Sequence, residues 1–218
     1  MRLNDGAPDR SFALEHYRRT AAGYDASSRR IARKRLRTLE LLALRPGETV
    51  FDVACGTGPM LDMLSAKVGP SGRVIGIEQS PDMAAQARRR IDDLALGNVS
   101  LVEAPVEEAR LDATADAMLF CYTHDVLRSP AALRSLFAAA KPGARVAVCG
   151  AKLYPWWLSP LNAWVRRRAY GYMTTVEGLD APWSLLAGYC PDFAVRHTYF
   201  FGSGYVGTGS YTAELRGP

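Results

Sequence analysis

Nine residues, Val50 to Gly58, constrain this chain more than any others. An apolar run, Val50, Phe51 and Val53, carries one acid, Asp52, and breaks into the small-residue turn Ala54-Cys55-Gly56-Thr57-Gly58. An apolar helix pattern follows from Met60 to Val68. Strand, glycine turn and helix in that order begin a nucleotide-binding α/β unit. Gly56 and Gly58 permit a sharp turn and let a ligand approach bare backbone N–H groups. A diphosphate-binding loop, G-x-G-x-x-G, has a third small residue at the helix start; here that position is Leu61. The next apolar run, Arg73 to Ile77, closes on Glu78. An acid at that place suits a ribose diol, because a carboxylate accepts from both hydroxyls. Two acids without a diphosphate cradle favour a nucleoside ligand without phosphates, a cationic one included.

The rest of the chain bounds the reading. Its 218 residues, 48% of them apolar, suffice for one large domain with a substantial core. No apolar run reaches the length of a membrane-spanning helix. Met1 to Arg10 lack the apolar stretch of a secretory signal, so a cytoplasmic location is expected. Cys55, Cys121, Cys149 and Cys190 are scattered without zinc spacing, so no metal is expected and the thiols read as reduced. The net charge of +5 is concentrated in Arg29, Arg30, Arg33, Lys34, Arg35 and Arg37. Ile31, Leu36, Leu39 and Leu42 recur there at helical spacing, which predicts an amphipathic helix with a solvated basic face. Attraction of an anionic substrate or peripheral contact with a membrane surface is a second reading of that face. Nucleic acid is not expected, because no aromatic platform accompanies the run.

At this point a family resemblance is carried by four motifs in order. Val50–Gly58 resembles motif I of the class I S-adenosylmethionine-dependent methyltransferases, and Gly76-Ile77-Glu78-Gln79-Ser80-Pro81-Asp82-Met83 is similar to their second motif. His16-Tyr17-Arg18-Arg19-Thr20-Ala21-Ala22-Gly23-Tyr24-Asp25 resembles the opening segment of the small-molecule branch akin to ubiquinone and menaquinone methyltransferases. Lys141-Pro142-Gly143-Ala144-Arg145-Val146 looks like the turn before their fifth strand. The likeness runs over residues 14 to 150.

The resemblance implies a single domain with a seven-stranded, Rossmann-like α/β fold. Its sheet would be mostly parallel with an antiparallel last strand, and helices would cover both faces. It implies S-adenosylmethionine as cofactor and a small-molecule acceptor, such as a quinone precursor, an aromatic or a natural-product-like compound. Asp52, Ala54, Gly56, Gly58, Glu78, Gln79, Met83 and Cys121 would hold the cofactor. Tyr17 and Tyr24 would close over it, where an aromatic face also attracts a sulfonium. Pro105 stands where the family usually has an acid for the adenine amino group. The backbone of Ala104, Pro105 and Val106 would then hold the base, or Glu107 would compensate.

The expected parts are a lid and basic helix (1–45), a cofactor-binding core (46–150), an acceptor-shaping insertion (151–190) and a C-terminal hairpin (191–218). Strand four should span Asp116–Phe120, so Cys121 to Leu127 would follow it at the ligand crevice. With an ordinary pKa near 6.5, His124 is the candidate general base, and Asp125 could meet the substrate. Tyr154, Trp156, Trp157, Trp164, Tyr170, Tyr172 and Trp183 crowd the insertion, with Arg166 to Arg168 among them. Tyr154 and Trp157 are its candidate acceptor contacts; ordinary packing and a membrane-interface patch remain open. His16 and His197 read as incidental. The helix after strand two should run from Pro81 to Leu96, capped by Ser80 and stopped at Gly97. Other readings are a methyltransferase acting on a lipid head group, a non-catalytic S-adenosylmethionine-binding protein and an NAD(P)-dependent oxidoreductase. Leu61 speaks against the last. Monomer and homodimer are both compatible with the sequence.

Overall fold

The computed structural model describes residues 9–20, 31–169 and 173–213. The elements in chain order are α1 (Arg10–Thr20), α2 (Ala32–Leu42), β1 (Thr49–Val53), α3 (Leu61–Val68), β2 (Arg73–Glu78), α4 (Pro81–Asp93) and β3 (Val99–Glu103). There follow β4 (Ala115–Cys121), α5 (His124–Leu127), α6 (Pro130–Ala138), β5 (Ala140–Ala151), α7 (Asn162–Ala169), β6 (Ala194–Tyr199) and β7 (Gly204–Ser210). The seven strands form one sheet in the order β3-β2-β1-β4-β5-β7-β6. The first five are parallel; β7 runs antiparallel to both β5 and β6. This is the expected architecture. Its chain order reverses beside β1, where β1 pairs with β2 on one side and β4 on the other. Ligands bind at such a switch point, beyond the strand C-termini.

Strand alternation sorts the core onto two faces. Phe51, Val53, Ile75, Ile77, Met118 and Phe120 pack with Leu133, Leu136 and Phe137 of α6 on one face. Val50, Val74, Ala117 and Leu119 pack with Leu39 and Leu42 of α2 and Leu61 and Leu64 of α3 on the other. Asp52 has the parity of Val50, so it points to the side of α2 and α3.

Three expectations need correction. The basic helix buries Lys34 and Arg35 with Thr38, Leu39 and Leu42, while Leu36 is 42% exposed. The stripe at 35, 38, 39 and 42 faces the sheet, because these positions share one helical face. Helix α4 is capped by Ser80 as expected, its hydroxyl accepting from the Met83 N–H at 3.5 Å. It ends earlier than expected, at Asp93 with Leu94 as its C-cap, and Ala95 (φ 48°) takes the left-handed turn that Gly97 was expected to supply. Finally, Lys141 to Gly143 lie inside β5. The pairing jumps from Ala115–Ala140 to Ala117–Arg145, so the extra residues bulge out.

Candidate active site

A cleft containing about 760 Å³ of empty space, part of it open to solvent, lies beyond the C-terminal ends of β1, β2 and β4. Its floor is the turn after β1. Ala54 (φ 51°), Gly56 (φ 61°) and Gly58 (φ 74°) all take left-handed backbone. The turn is tied to the sheet by Cys55 N–H donating to Ile77 O at 3.0 Å, and it closes by Gly58 N–H donating to Cys55 O at 3.0 Å. The two glycines differ. A Cβ on Gly56 would meet nothing within 4 Å, and the residue lines the cleft. A Cβ on Gly58 would lie 2.6 Å from Leu61 Cδ1, so that glycine serves the packing of α3 on the turn.

The two acids are both buried, Asp52 at 2% and Glu78 at 5% exposure. Glu78 takes backbone N–H groups on both oxygens, from Gly56 to Oε2 and from Ser80 to Oε1, each at 2.8 Å. It thereby fixes the glycine turn against the start of α4. A carboxylate has about four acceptor sites, so it retains capacity for a diol. Burial raises its pKa, and the bonds from Ser80 and Gly56 oppose the rise. Asp52 is pushed up to about 7, chiefly by burial; Glu78 adds to the rise and the Arg35 guanidinium counters it. Asp52 Oδ2 is buried without a hydrogen-bond partner in the structure. An acceptor so placed fits a ligand that brings a donor or a positive charge, because a buried unsatisfied group costs free energy.

Of the expected site residues, Asp52, Ala54, Gly56, Glu78, Gln79, Met83, Cys121, His124 and Asp125 line this cleft together. Gly58, Ala104, Pro105, Val106, Tyr154 and Trp157 are not among its lining residues. Val106 belongs to the core under α6, and Ala104 N–H donates to Glu78 O at 3.1 Å. Tyr154 is buried in a small separate core with Val165, Met173, Val176 and Leu179, whereas Trp157 is exposed. Tyr24 lies outside the described residues; Tyr17 is on α1, but its side chain also lies outside them. Sequence reasoning missed Arg35 and Tyr122, which both line the cleft. The buried stripe on α2 was the available signal for Arg35. Tyr122 sits at φ 61°, a strain that no sequence pattern announced.

The short helix α5 behaves differently from the expectation of a base poised at neutrality. Burial brings the His124 pKa down to about 4, so the ring is neutral at pH 7. Its Nε2 lies 3.1 Å from Glu177 O. A carbonyl can only accept, so Nε2 carries the proton and Nδ1 is an acceptor. Nδ1 is buried without a partner. Asp125 is occupied: Thr174 donates to its carboxylate from N (3.0 Å to Oδ2) and from Oγ1 (2.8 Å). Thus α5 ties residues 174–177 to the rim of the cleft.

Comparison with known proteins agrees with this geometry. A family model described as a methyltransferase domain matches residues 50–143. The chain is 33% identical over 117 residues to a demethylmenaquinone methyltransferase of Oceanobacillus iheyensis, covering 51% of this chain and 48% of that protein. It is 34% identical over 114 residues to a ubiquinone/menaquinone biosynthesis C-methyltransferase of Ectopseudomonas mendocina, covering 51% of this chain and 44% of that one. The matches therefore span less than half the length of these curated relatives. A crystal structure of an S-adenosylmethionine-dependent methyltransferase from Aquifex aeolicus shares the fold, with a TM-score of 0.55 at 20% identity, over 82% of this chain and 89% of that one. Residues 50–143 thus resemble a methyltransferase domain, carried on a sheet of the same fold as the Aquifex aeolicus protein. In sequence the chain is similar to the ubiquinone and menaquinone methyltransferases over about half its length.

Proposed function

We propose that the chain transfers a methyl group from S-adenosylmethionine to a small-molecule acceptor held above α5. The observation that carries this reading is the pairing of a glycine turn with two buried acids, Asp52 and Glu78, at the switch point of the sheet. When bound, S-adenosylmethionine supplies a methyl group activated by its positively charged sulfur. The residues supply position. Glu78 accepts from the ribose hydroxyls while its other bonds keep the turn in place. Asp52 Oδ2 accepts from a donor on the amino-acid part. Gln79 and Met83, at the start of α4, face the nucleoside side. Residues 1–45 supply the lid and the basic helix, residues 46–150 the cofactor core, 151–190 the acceptor-shaping insertion, and 191–218 the C-terminal hairpin.

His124 is proposed to orient the acceptor by accepting from its hydroxyl or amine at Nδ1. With its pKa brought down to about 4 it is a weak base, so alignment and exclusion of water have the larger share of the rate. Relatives named for quinone-precursor methylation make a quinol or phenol the first acceptor class to test.

Calorimetric titration with S-adenosylhomocysteine, beside NADH as control, tests the cofactor. Binding of the former alone is expected, weakened by roughly 1–3 kcal/mol in Glu78→Ala, the value of a hydrogen bond involving a charged group. Transfer of a labelled methyl group to a panel of phenols and quinols tests the acceptor. Tight cofactor binding with no labelled product from any acceptor class would favour the non-catalytic reading instead.

A further inference from the structure

A cluster of large apolar side chains stands in solvent on one flank of the molecule. Trp156, Trp157, Leu161 and Trp164 are 83, 63, 46 and 53% exposed, and Phe200 and Phe201 are 58 and 90% exposed. The two groups share a face. Lys152 N–H donates to Ser203 O at 2.8 Å, and a Cβ on Gly202 would lie 3.7 Å from Pro155 Cδ. The turn between β6 and β7 therefore sits against the residue that precedes Trp156. That turn holds Phe200 and Phe201 at φ 50° and 54°, a costly backbone for aromatic residues. An exposed group of this kind marks an interaction surface.

The charge around it is mainly positive, with Asp180 beside Lys152 and Glu40 paired with Arg37 at its edge. Residues 31–39, 152–169 and 193–213, which build this face, contain no Asp or Glu. Lys34, itself buried, places Nζ 3.9 Å from the centroid of the Phe200 ring, and the exposed cations are Arg166 and Arg167 on the helix that bears Trp164. We propose that this face docks on a membrane surface containing anionic phospholipids. Trp and Phe rings seat at the boundary of head groups and acyl chains, and the cations meet the phosphates. A two-fold contact between copies would set these cations against one another. Single-stranded nucleic acid needs open, flat ring faces; Trp156 and Trp157 stand edge to face at 88°, and Lys34 covers Phe200. The docking stands whether or not methyl transfer is the activity.

The test mixes the full chain with phosphatidylcholine vesicles, with or without phosphatidylglycerol, and reads flotation and tryptophan emission. Flotation and a blue-shifted emission are expected with the mixed vesicles only, reduced by high salt. The double variant Trp156→Ser/Phe201→Ser should lower the partition about tenfold or more, and so should Arg166→Glu/Arg167→Glu. All four side chains are exposed, so both variants should melt like the wild type by circular dichroism. The proposal is overturned if the wild type stays in the aqueous phase, or if both folded variants float as well as it does. It is also overturned if the aromatic residues instead hold a dimer in sedimentation, or an oligonucleotide in a retention assay, with no effect on vesicles.

Discussion

Gly56 and Gly58 stand two residues apart, both with positive φ, yet their neighbours differ. At Gly58 a side chain must displace Leu61, whose Cδ1 and Cγ lie 2.6 and 3.2 Å from the Cβ position. At Gly56 the same atom would enter open space beside Glu78. Each alanine pays the cost of a left-handed L-residue, roughly 1–2 kcal/mol. Only Gly58→Ala adds overpacking, on the order of 1–3 kcal/mol. Thermal melts should therefore rank wild type above Gly56→Ala and Gly56→Ala above Gly58→Ala. Cofactor titration should show the larger loss relative to stability in Gly56→Ala, whose methyl occupies the cleft. Equal melting temperatures for the two variants would mean that Leu61 yields without cost and that the packing role of Gly58 is misread.

Three elements meet at one hydroxyl. Asp9 caps α1 by accepting from Phe12 N–H at 3.1 Å, and its own N–H donates to Thr174 Oγ1 at 2.8 Å. Thr174 Oγ1 in turn donates to Asp125 of α5. A helix start, the insertion and the cleft rim are thus linked in series, the insertion being further held by His124 to Glu177. Thr174→Val keeps the shape and removes the donor and acceptor. It should cost about 1–3 kcal/mol, since Asp125 is left short of a partner, and it should open the N-terminal helix to limited proteolysis before the sheet. Cleavage at wild-type rate in the variant would show the link to be incidental. The sheet itself was legible in the sequence, because alternation and glycine turns are local signals. So was the grouping of nine cleft residues, because a strand, its turn and the next acid are fixed by sequence order. What stayed hidden depends on distant chain. His124 loses its basicity through burial and pairs with Glu177, far along the sequence. Arg35 was counted as a surface charge, although the helix turns it inward over Asp52. The insertion has Pro155 before and Pro160 inside an irregular 3₁₀ segment, so no period could assign its aromatics to core or surface.

For the whole molecule, Asp52 sets stability against binding. An unfolded Asp titrates near 3.9, whereas burial holds Asp52 at about 7 in the fold. Between roughly pH 4 and 7 the folded chain keeps a proton that the unfolded chain has lost, so stability falls as pH rises through that window and levels off above it. Asp52→Asn removes the titration. At pH 8 it should melt several degrees above the wild type, with the gap closing toward pH 4. About 1.4 kcal/mol per unit of raised pKa gives the scale. Ligand binding reverses the ranking. An ammonium donor at Asp52 favours the ionised carboxylate, and S-adenosylhomocysteine carries one on its amino-acid part, so near pH 6.5 the wild type should release protons on binding it. Calorimetry in buffers of different ionisation heat reads that release directly. The Asp52→Asn variant should release fewer protons, bind more weakly, and gain less thermal stability from a saturating ligand. Such a residue, destabilising alone and useful only when occupied, is what a binding site built into a core requires. A variant that melts below the wild type at pH 8 yet binds as tightly would make Asp52 part of the frame and leave the donor's charge to be met elsewhere.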